Sequence, residues 1–164
     1  MNYCAIILAA GKGHRYLKTI PKQYTVFDNE LIINHSLKIF SEINSIKKII
    51  LVVNKPDFNK FRTQIFKNKK IEIVQGGKER KNSVFHALNK IKNSNYKKII
   101  IHDAARPFLK KELIDKIIKL SKKHEAIIPC VSNTDTIVYK NKILDTLDIK
   151  HDGMGSFILI PKAG

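Results

Sequence analysis

At 164 residues and 43% hydrophobic, the chain can bury a core and has the size of a single domain. Its formal charge of +17 suits an anionic partner, but the lysines are spread over nearly every segment beside abundant Ile and Asn, as an AT-rich coding sequence would give, and no arginine-rich or aromatic-interleaved stripe favours nucleic acid. Cys4 and Cys130 lie in apolar runs without metal spacing, the N-terminus has no basic region before its short apolar run, and no run is long enough to span a bilayer, so a reduced, cytoplasmic protein with no membrane partner is expected.

Along the chain, strand-like runs alternate with helical periods. Tyr3 to Leu8 is continuously apolar and ends in Ala-Ala-Gly, as a buried parallel strand feeding a tight loop does. Leu37, Phe40 and Ile43 recur at helical spacing, and Lys48 to Val53 reads as the next strand. Asp57 is placed to cap a helix carrying Phe58, Phe61 and Ile65, and Ile71 to Val74 follows as a short strand. Val84, Leu88 and Ile91 mark another helix, Tyr96 to Ile101 a strand, Leu113, Ile117 and Leu120 an amphipathic helix, and Ala126 to Val131 a further strand. This alternation predicts an α/β fold with a doubly wound, mostly parallel, Rossmann-like sheet. Thr136 to Leu147 breaks the rhythm with two short β-rich runs around Lys140-Asn141, which predicts a β-hairpin.

Three segments carry chemistry. Leu8-Ala-Ala-Gly-Lys-Gly-His-Arg15 has neither the third small residue of a dinucleotide fingerprint nor the Gly-Lys-Ser/Thr of a Walker loop. Gly11 and Gly13 after a strand still let backbone N–H groups approach an anion, Arg15 adds a bidentate cation, and Lys22 after Pro21 a compact one. Taken alone, the loop also reads as an ordinary strand-helix turn with surface cations. Gly76-Gly77 precedes a helix whose first turn holds Arg80 and Ser83; paired glycines allow close approach to a planar base, and Ser83 either caps the helix or bonds a ligand. His102-Asp103-Ala-Ala-Arg106-Pro ends an apolar strand at the edge where open α/β sheets bind ligands. Asp103 there suits a sugar hydroxyl or Mg²⁺, or a structural pair with Arg106, and His102 suits packing or orientation better than proton transfer.

These motifs, with Pro-Lys22-Gln and Asp135-Thr136, stand in the order and at the intervals of the methylerythritol-phosphate cytidylyltransferase family of the non-mevalonate isoprenoid pathway, which the chain resembles from Cys4 to about Asp148. The wording His-Asp-Ala-Ala-Arg-Pro favours that family over the similar ribitol-phosphate cytidylyltransferases. The resemblance implies a single nucleotidyltransferase domain over 1–164, of the nucleotide-diphospho-sugar transferase type. Such enzymes transfer CMP from CTP to a sugar-alcohol phosphate with Mg²⁺ assistance and release pyrophosphate. It assigns Arg15 and Lys22 to stabilising charge at the α-phosphorus. Ala9, Ala10, Gly77, Lys78 and Ser83 fall on the cytosine side, with Gly13 and Arg80 among the nucleotide-binding positions. Gly11, Asp103 and Ala104 fall on the ribose side, Asp103, Arg106 and Thr136 toward the acceptor, and Asp103 as the metal contact, directly or through water. Lys78 stands where an acidic residue is often found.

After the hairpin the chain departs from the pattern. The family continues with an Arg, a Gln-Thr-Pro-Gln segment, further helices and a late Lys, whereas here Ile149 takes the Arg position and the sequence stops at Gly164. The resemblance therefore implies a divergent segment 149–164, an incomplete C-terminal part with two acceptor-phosphate cations missing, and an incomplete arm for the family's homodimer. A truncated or frameshifted gene product, or a catalytically impaired remnant that binds CTP or another anion, is the corresponding alternative.

Overall fold

The computed structural model describes residues 1–11 and 20–129, and the backbone of Ile137–Tyr139, Lys142–Leu144 and Ile158–Pro161. Four strands run parallel: β1 (Tyr3–Ala9), β4 (Ile46–Val53), β5 (Ile71–Gln75) and β6 (Lys98–Asp103). A two-stranded ribbon, β2 (Val26–Phe27) and β3 (Glu30–Leu31), lies between β1 and β4 in sequence, and β7 (Ile137–Tyr139) and β8 (Lys142–Leu144) form a second ribbon. The last strand, β9 (Ile158–Pro161), pairs antiparallel with β6, so the main sheet has the order β5-β4-β1-β6-β9.

Strand alternation assigns the two faces of this sheet. In β1, Tyr3, Ala5, Ile7 and Ala9 join Ile49, Leu51, Val53 and Ile100 on one face, while Cys4 and Ile6 join Ile50, Val52, Ile99 and Ile101 on the other. Three helices cover the first face: α1 (Ile32–Glu42) through Ile33, Leu37 and Phe40, α2 (Lys55–Phe61) through Phe58, and α4 (Lys111–Leu120) through Ile114 and Ile117. On the second face, α3 (Arg80–Lys90) packs Ala87, and Ile91 follows at its end. Burial on both faces is why β1 carries no polar residue. It also pushes the Cys4 thiol up to about 12, leaving it an inert core group.

The doubly wound α/β prediction matches this sheet, and the hairpin over 136–147 matches β7 and β8, with Val138 opposite Ile143. Two local expectations are corrected. Asn54, not Asp57, caps α2: its side chain accepts from Asp57 N at 3.3 Å, which puts Pro56 within the first turn, and the helix ends at Phe61, before the buried Ile65. The strand expected over Ala126–Val131 reduces, in its described part, to an isolated bridge at Ile127. The place beside β6 is taken instead by β9, from within the segment read as divergent. Cys130, Lys140-Asn141 and Ile149 lie outside the described residues.

Candidate functional site

The chain lays β1 at the centre, builds outward through β4 to β5, and then returns to place β6 on the other side of β1. The reversal leaves a switch point between β1 and β6, where carboxyl ends of parallel strands diverge into a ligand crevice. Leu8 pairs with Asp103 at that edge, and Ala104 N donates to Leu8 O at 3.0 Å, so the first loop and the His102-Asp103 segment leave the sheet side by side. A cavity of about 660 Å³ opens there, a volume suited to a small-molecule ligand.

Its walls include Ala10, Gly11, Gly77, Lys78, Arg80, Ser83, Asp103 and Arg106, eight of the residues expected from the sequence. Ala9 and Ala104 are buried directly behind them. Lys22 stands exposed on a 3₁₀ turn, Lys22–Tyr24, beside the cavity-lining Gln23. Gly13, Arg15 and Thr136 lie outside the described residues. The walls also include Leu8, Gln23, Asn54, Glu79 and Ala105, to which the sequence reading gave no site role.

Asp103 is the electrostatic centre of the crevice. Arg80 donates to Asp103 Oδ1 from Nη2 at 3.1 Å and from Nε at 3.3 Å, and Arg106 Nε stands 3.8 Å from Oδ2. Arg106 was the partner anticipated, yet Arg80, twenty-three residues earlier, makes the closer contact. Beneath them His102 is 1% exposed, shares a 3.0 Å hydrogen bond with Ser36 Oγ and packs against Phe40. Burial holds the imidazole down at about 4, so at neutral pH it is an uncharged supporting group, as the sequence suggested.

The second glycine loop uses its missing side chains for its own packing. A Cβ on Gly76 would lie 2.3 Å from Ala10 Cβ, and one on Gly77 2.3 Å from Asn82 Cβ. Ser83 does not cap the helix: its Oγ accepts from Gly77 N at 3.1 Å. The capping of α3 falls to Glu79, whose side chain accepts from the Asn82 backbone while the Asn82 side chain accepts from Glu79 N. Gln23 is tied to the first loop, donating from Nε2 to Ala9 O at 2.7 Å and Gly11 O at 2.9 Å. Its only signal in sequence is its place in Pro-Lys-Gln.

Fold and crevice together define a Rossmann-like domain of the nucleotidyltransferase class. The family model for IspD, 2-C-methyl-D-erythritol 4-phosphate cytidylyltransferase, matches residues 3–151. The chain is 39% identical over 140 residues to the bifunctional enzyme IspD/IspF of Pelagibacter ubique, covering 85% of this chain and 37% of that protein. It is equally 39% identical over 140 residues to the 2-C-methyl-D-erythritol 4-phosphate cytidylyltransferase of Clostridium perfringens, covering 84% of this chain and 61% of that one. Its fold is similar to that of the bifunctional IspDF from Campylobacter jejuni, with a TM-score of 0.81 at 24% identity over 99% of this chain and 41% of the other. The chain belongs to the 2-C-methyl-D-erythritol 4-phosphate cytidylyltransferase family, and it spans 37% and 61% of the lengths of the two curated relatives.

Proposed function

We propose that this chain carries the nucleotide site of a cytidylyltransferase that joins CTP and 2-C-methyl-D-erythritol 4-phosphate into CDP-methylerythritol and pyrophosphate. An oxygen of the acceptor phosphate attacks the α-phosphorus of CTP, the bond from that phosphorus to the bridging oxygen breaks, and pyrophosphate leaves with the electron pair. Both reactants are polyanions, so the protein's work is to hold them together and screen their repulsion, with no protein nucleophile. The observation that carries this reading is the switch-point crevice in which two glycine loops meet Arg80, Asp103 and Arg106. Lys22 and Arg15 match the family's charge-stabilising positions, and Arg106 and Thr136 its acceptor contacts.

A divalent cation fits the donor set in one way. Mg²⁺ gives up its waters reluctantly and is commonly held through one or two carboxylates plus substrate phosphates. Asp103 supplies such a carboxylate, while among the described residues no cluster of three or more metal-ligating side chains exists to hold an ion by itself. Bound with the triphosphate, the ion would neutralise phosphate charge, and Asp103 would be the carboxylate that holds it. No helix among the described residues is long and apolar enough to cross a membrane, and the buried thiol of Cys4 suits the reducing cytoplasm to which we assign the reaction. A homodimer, as the family resemblance implies, belongs to the same proposal.

Calorimetric titration with CTP and ATP, followed by pyrophosphate release in the presence of methylerythritol phosphate or ribitol phosphate, tests the reading. Preference for CTP and for the first acceptor is expected. Equal affinity for the two nucleotides would leave only a generic phosphate loop, and turnover with ribitol phosphate alone would move the chain to the other acceptor. CTP binding without any pyrophosphate release would identify a binding protein instead.

A further inference from the structure

We propose that Gln23 is a positioning residue that fixes the spacing between the first glycine loop and Lys22, so that both meet one triphosphate in register; this rests on the cytidylyltransferase reading above. Gln23 is 5% exposed, and its Nε2 reaches Ala9 O at 2.7 Å and Gly11 O at 2.9 Å. A carboxamide nitrogen carries two hydrogens, so both are committed to the carbonyls on either side of Ala10. The same residue is the middle of the 3₁₀ turn that begins with Lys22. That turn is anchored from its far end by Tyr24, buried and stacked on Phe61 of α2 with ring centroids 4.9 Å apart and planes 8° from parallel. It is closed internally by Tyr24 N to Pro21 O at 2.9 Å and by Thr25 Oγ1 to Lys22 O at 2.8 Å. Lys22 therefore follows a rigid turn, and the contact that locks the turn to the loop after β1 is the Gln23 amide.

The chemistry of that contact requires glutamine. The carbonyl oxygens of Ala9 and Gly11 are partly negative, and Gly11 and Gln23 line the crevice proposed to hold a polyanion; Gln23 compensates both carbonyls with N–H donors. A carboxylate of the same size would face two carbonyl oxygens with no donor and would add repulsion toward the phosphates. A thioether of the same length would leave both carbonyls without their donor.

The test uses Gln23→Met and Gln23→Glu in the whole chain, with CTP as the probe. For Gln23→Met the Kd for CTP is expected to rise about tenfold, the size of losing one to two net hydrogen bonds. Amide hydrogen exchange at Tyr24 and Thr25, whose N–H groups close the turn, should accelerate together while that at Gly77 stays unchanged. For Gln23→Glu the loss relative to the unaltered chain should shrink as pH falls from about 8 to about 5, because the protonated carboxyl regains one donor. Gln23→Met has no group to protonate and should show no such recovery. A simple loss of packing would weaken both variants alike at every pH. CTP binding within twofold of the unaltered chain in Gln23→Met, or a Gln23→Glu deficit flat across that pH range, overturns the inference and leaves the cytidylyltransferase reading intact. An unaltered chain that binds no CTP overturns both.

Discussion

Substituting Gly76 with alanine is the most direct probe of how the two glycine loops support each other. The added Cβ would stand 2.3 Å from Ala10 Cβ, 3.0 Å from Ser83 Oγ and 3.3 Å from Val52 Cγ1. Carbon atoms normally rest about 3.5–4.0 Å apart, so the loops must separate by more than an ångström. Neither can yield freely: Gly76 N donates to Val53 O at 2.8 Å, and the carbonyls flanking Ala10 are held by Gln23. Overpacking of this kind costs about 1–3 kcal/mol. A shift of about 1 Å within a ligand site costs on the order of 100-fold in function. Gly11→Ala is the control for stability, since no described residue lies within 4 Å of its added carbon, and its stability should stay within about 0.5 kcal/mol of the parent. Urea unfolding followed by circular dichroism, with CTP titration of each variant, reads both effects. If Gly76→Ala unfolds at the same urea concentration as Gly11→Ala, the loops are not in the contact described and the packing explanation is wrong.

Three further outcomes are expected. Asp103→Asn releases Arg80 and Arg106 from a half-exposed pair worth about 0.2–1 kcal/mol, so inorganic pyrophosphate measured without divalent ions should bind up to about fivefold more tightly; weaker binding would refute the pairing. His102 is held at about 4 against an ordinary 6.5, so its contribution to stability is complete above about pH 6.5 and is lost as the pH falls toward 4. It amounts to about 3 kcal/mol at most, and urea unfolding at pH 7 and 5 should show a smaller pH effect for His102→Gln than for the parent. Lys22→Ala should slow pyrophosphate release by about two to three powers of ten with a smaller change in CTP affinity, whereas a large loss of affinity with unchanged turnover would make Lys22 a ground-state binder.

The parts of the fold legible in sequence are those whose signals are local. β1 announces itself as an apolar run, as do Ile49–Val53 of β4 and Ile99–Ile101 of β6, because both faces are covered there, and six of the eight cavity residues read from sequence lie in loops directly after β1, β5 and β6 or within them. What escaped depends on partners distant in the chain. Ala126–Val131 and Ile158–Pro161 are apolar segments of the same kind, and only tertiary pairing decides that the second lies beside β6. The β2–β3 ribbon is two residues deep, so it has no period to detect, although its turn residues Asp28 and Asn29 take φ of 50° and 63°, which those side chains tolerate well. Gln23 drew no role in the sequence beyond its place in Pro-Lys-Gln; it is buried beside Tyr24, which stacks on Phe61, a contact no spacing rule reveals. Arg80 and Asp103 were each found, but their pairing joins α3 to β6 across the crevice and is likewise a product of the fold.

The state of the backbone donors bears on the proposed division of the crevice between base and phosphate. The first turn of α3 would ordinarily be an anion site, yet the Asn82 backbone donor is taken by the Glu79 carboxylate, Glu79 N by the Asn82 side chain, and Gly77 N by Ser83 Oγ. A carboxylate already seated on that helix end disfavours a second anion there. The Gly77 side of the crevice is thus suited to a neutral, planar group that can exchange hydrogen bonds with Ser83, which supports the cytosine assignment. On the opposite side, Gln23 compensates the carbonyls of Ala9 and Gly11 beside the exposed ammonium of Lys22, and the guanidiniums of Arg80, from the start of α3, and Arg106, after β6, meet in the middle. Asp103 between them holds the two guanidiniums until a stronger anion competes for them. A triphosphate would be such an anion and would leave the carboxylate to turn toward a hydroxyl or a cation, so Arg80 and Arg106 are expected to exchange Asp103 for phosphate when a nucleotide binds.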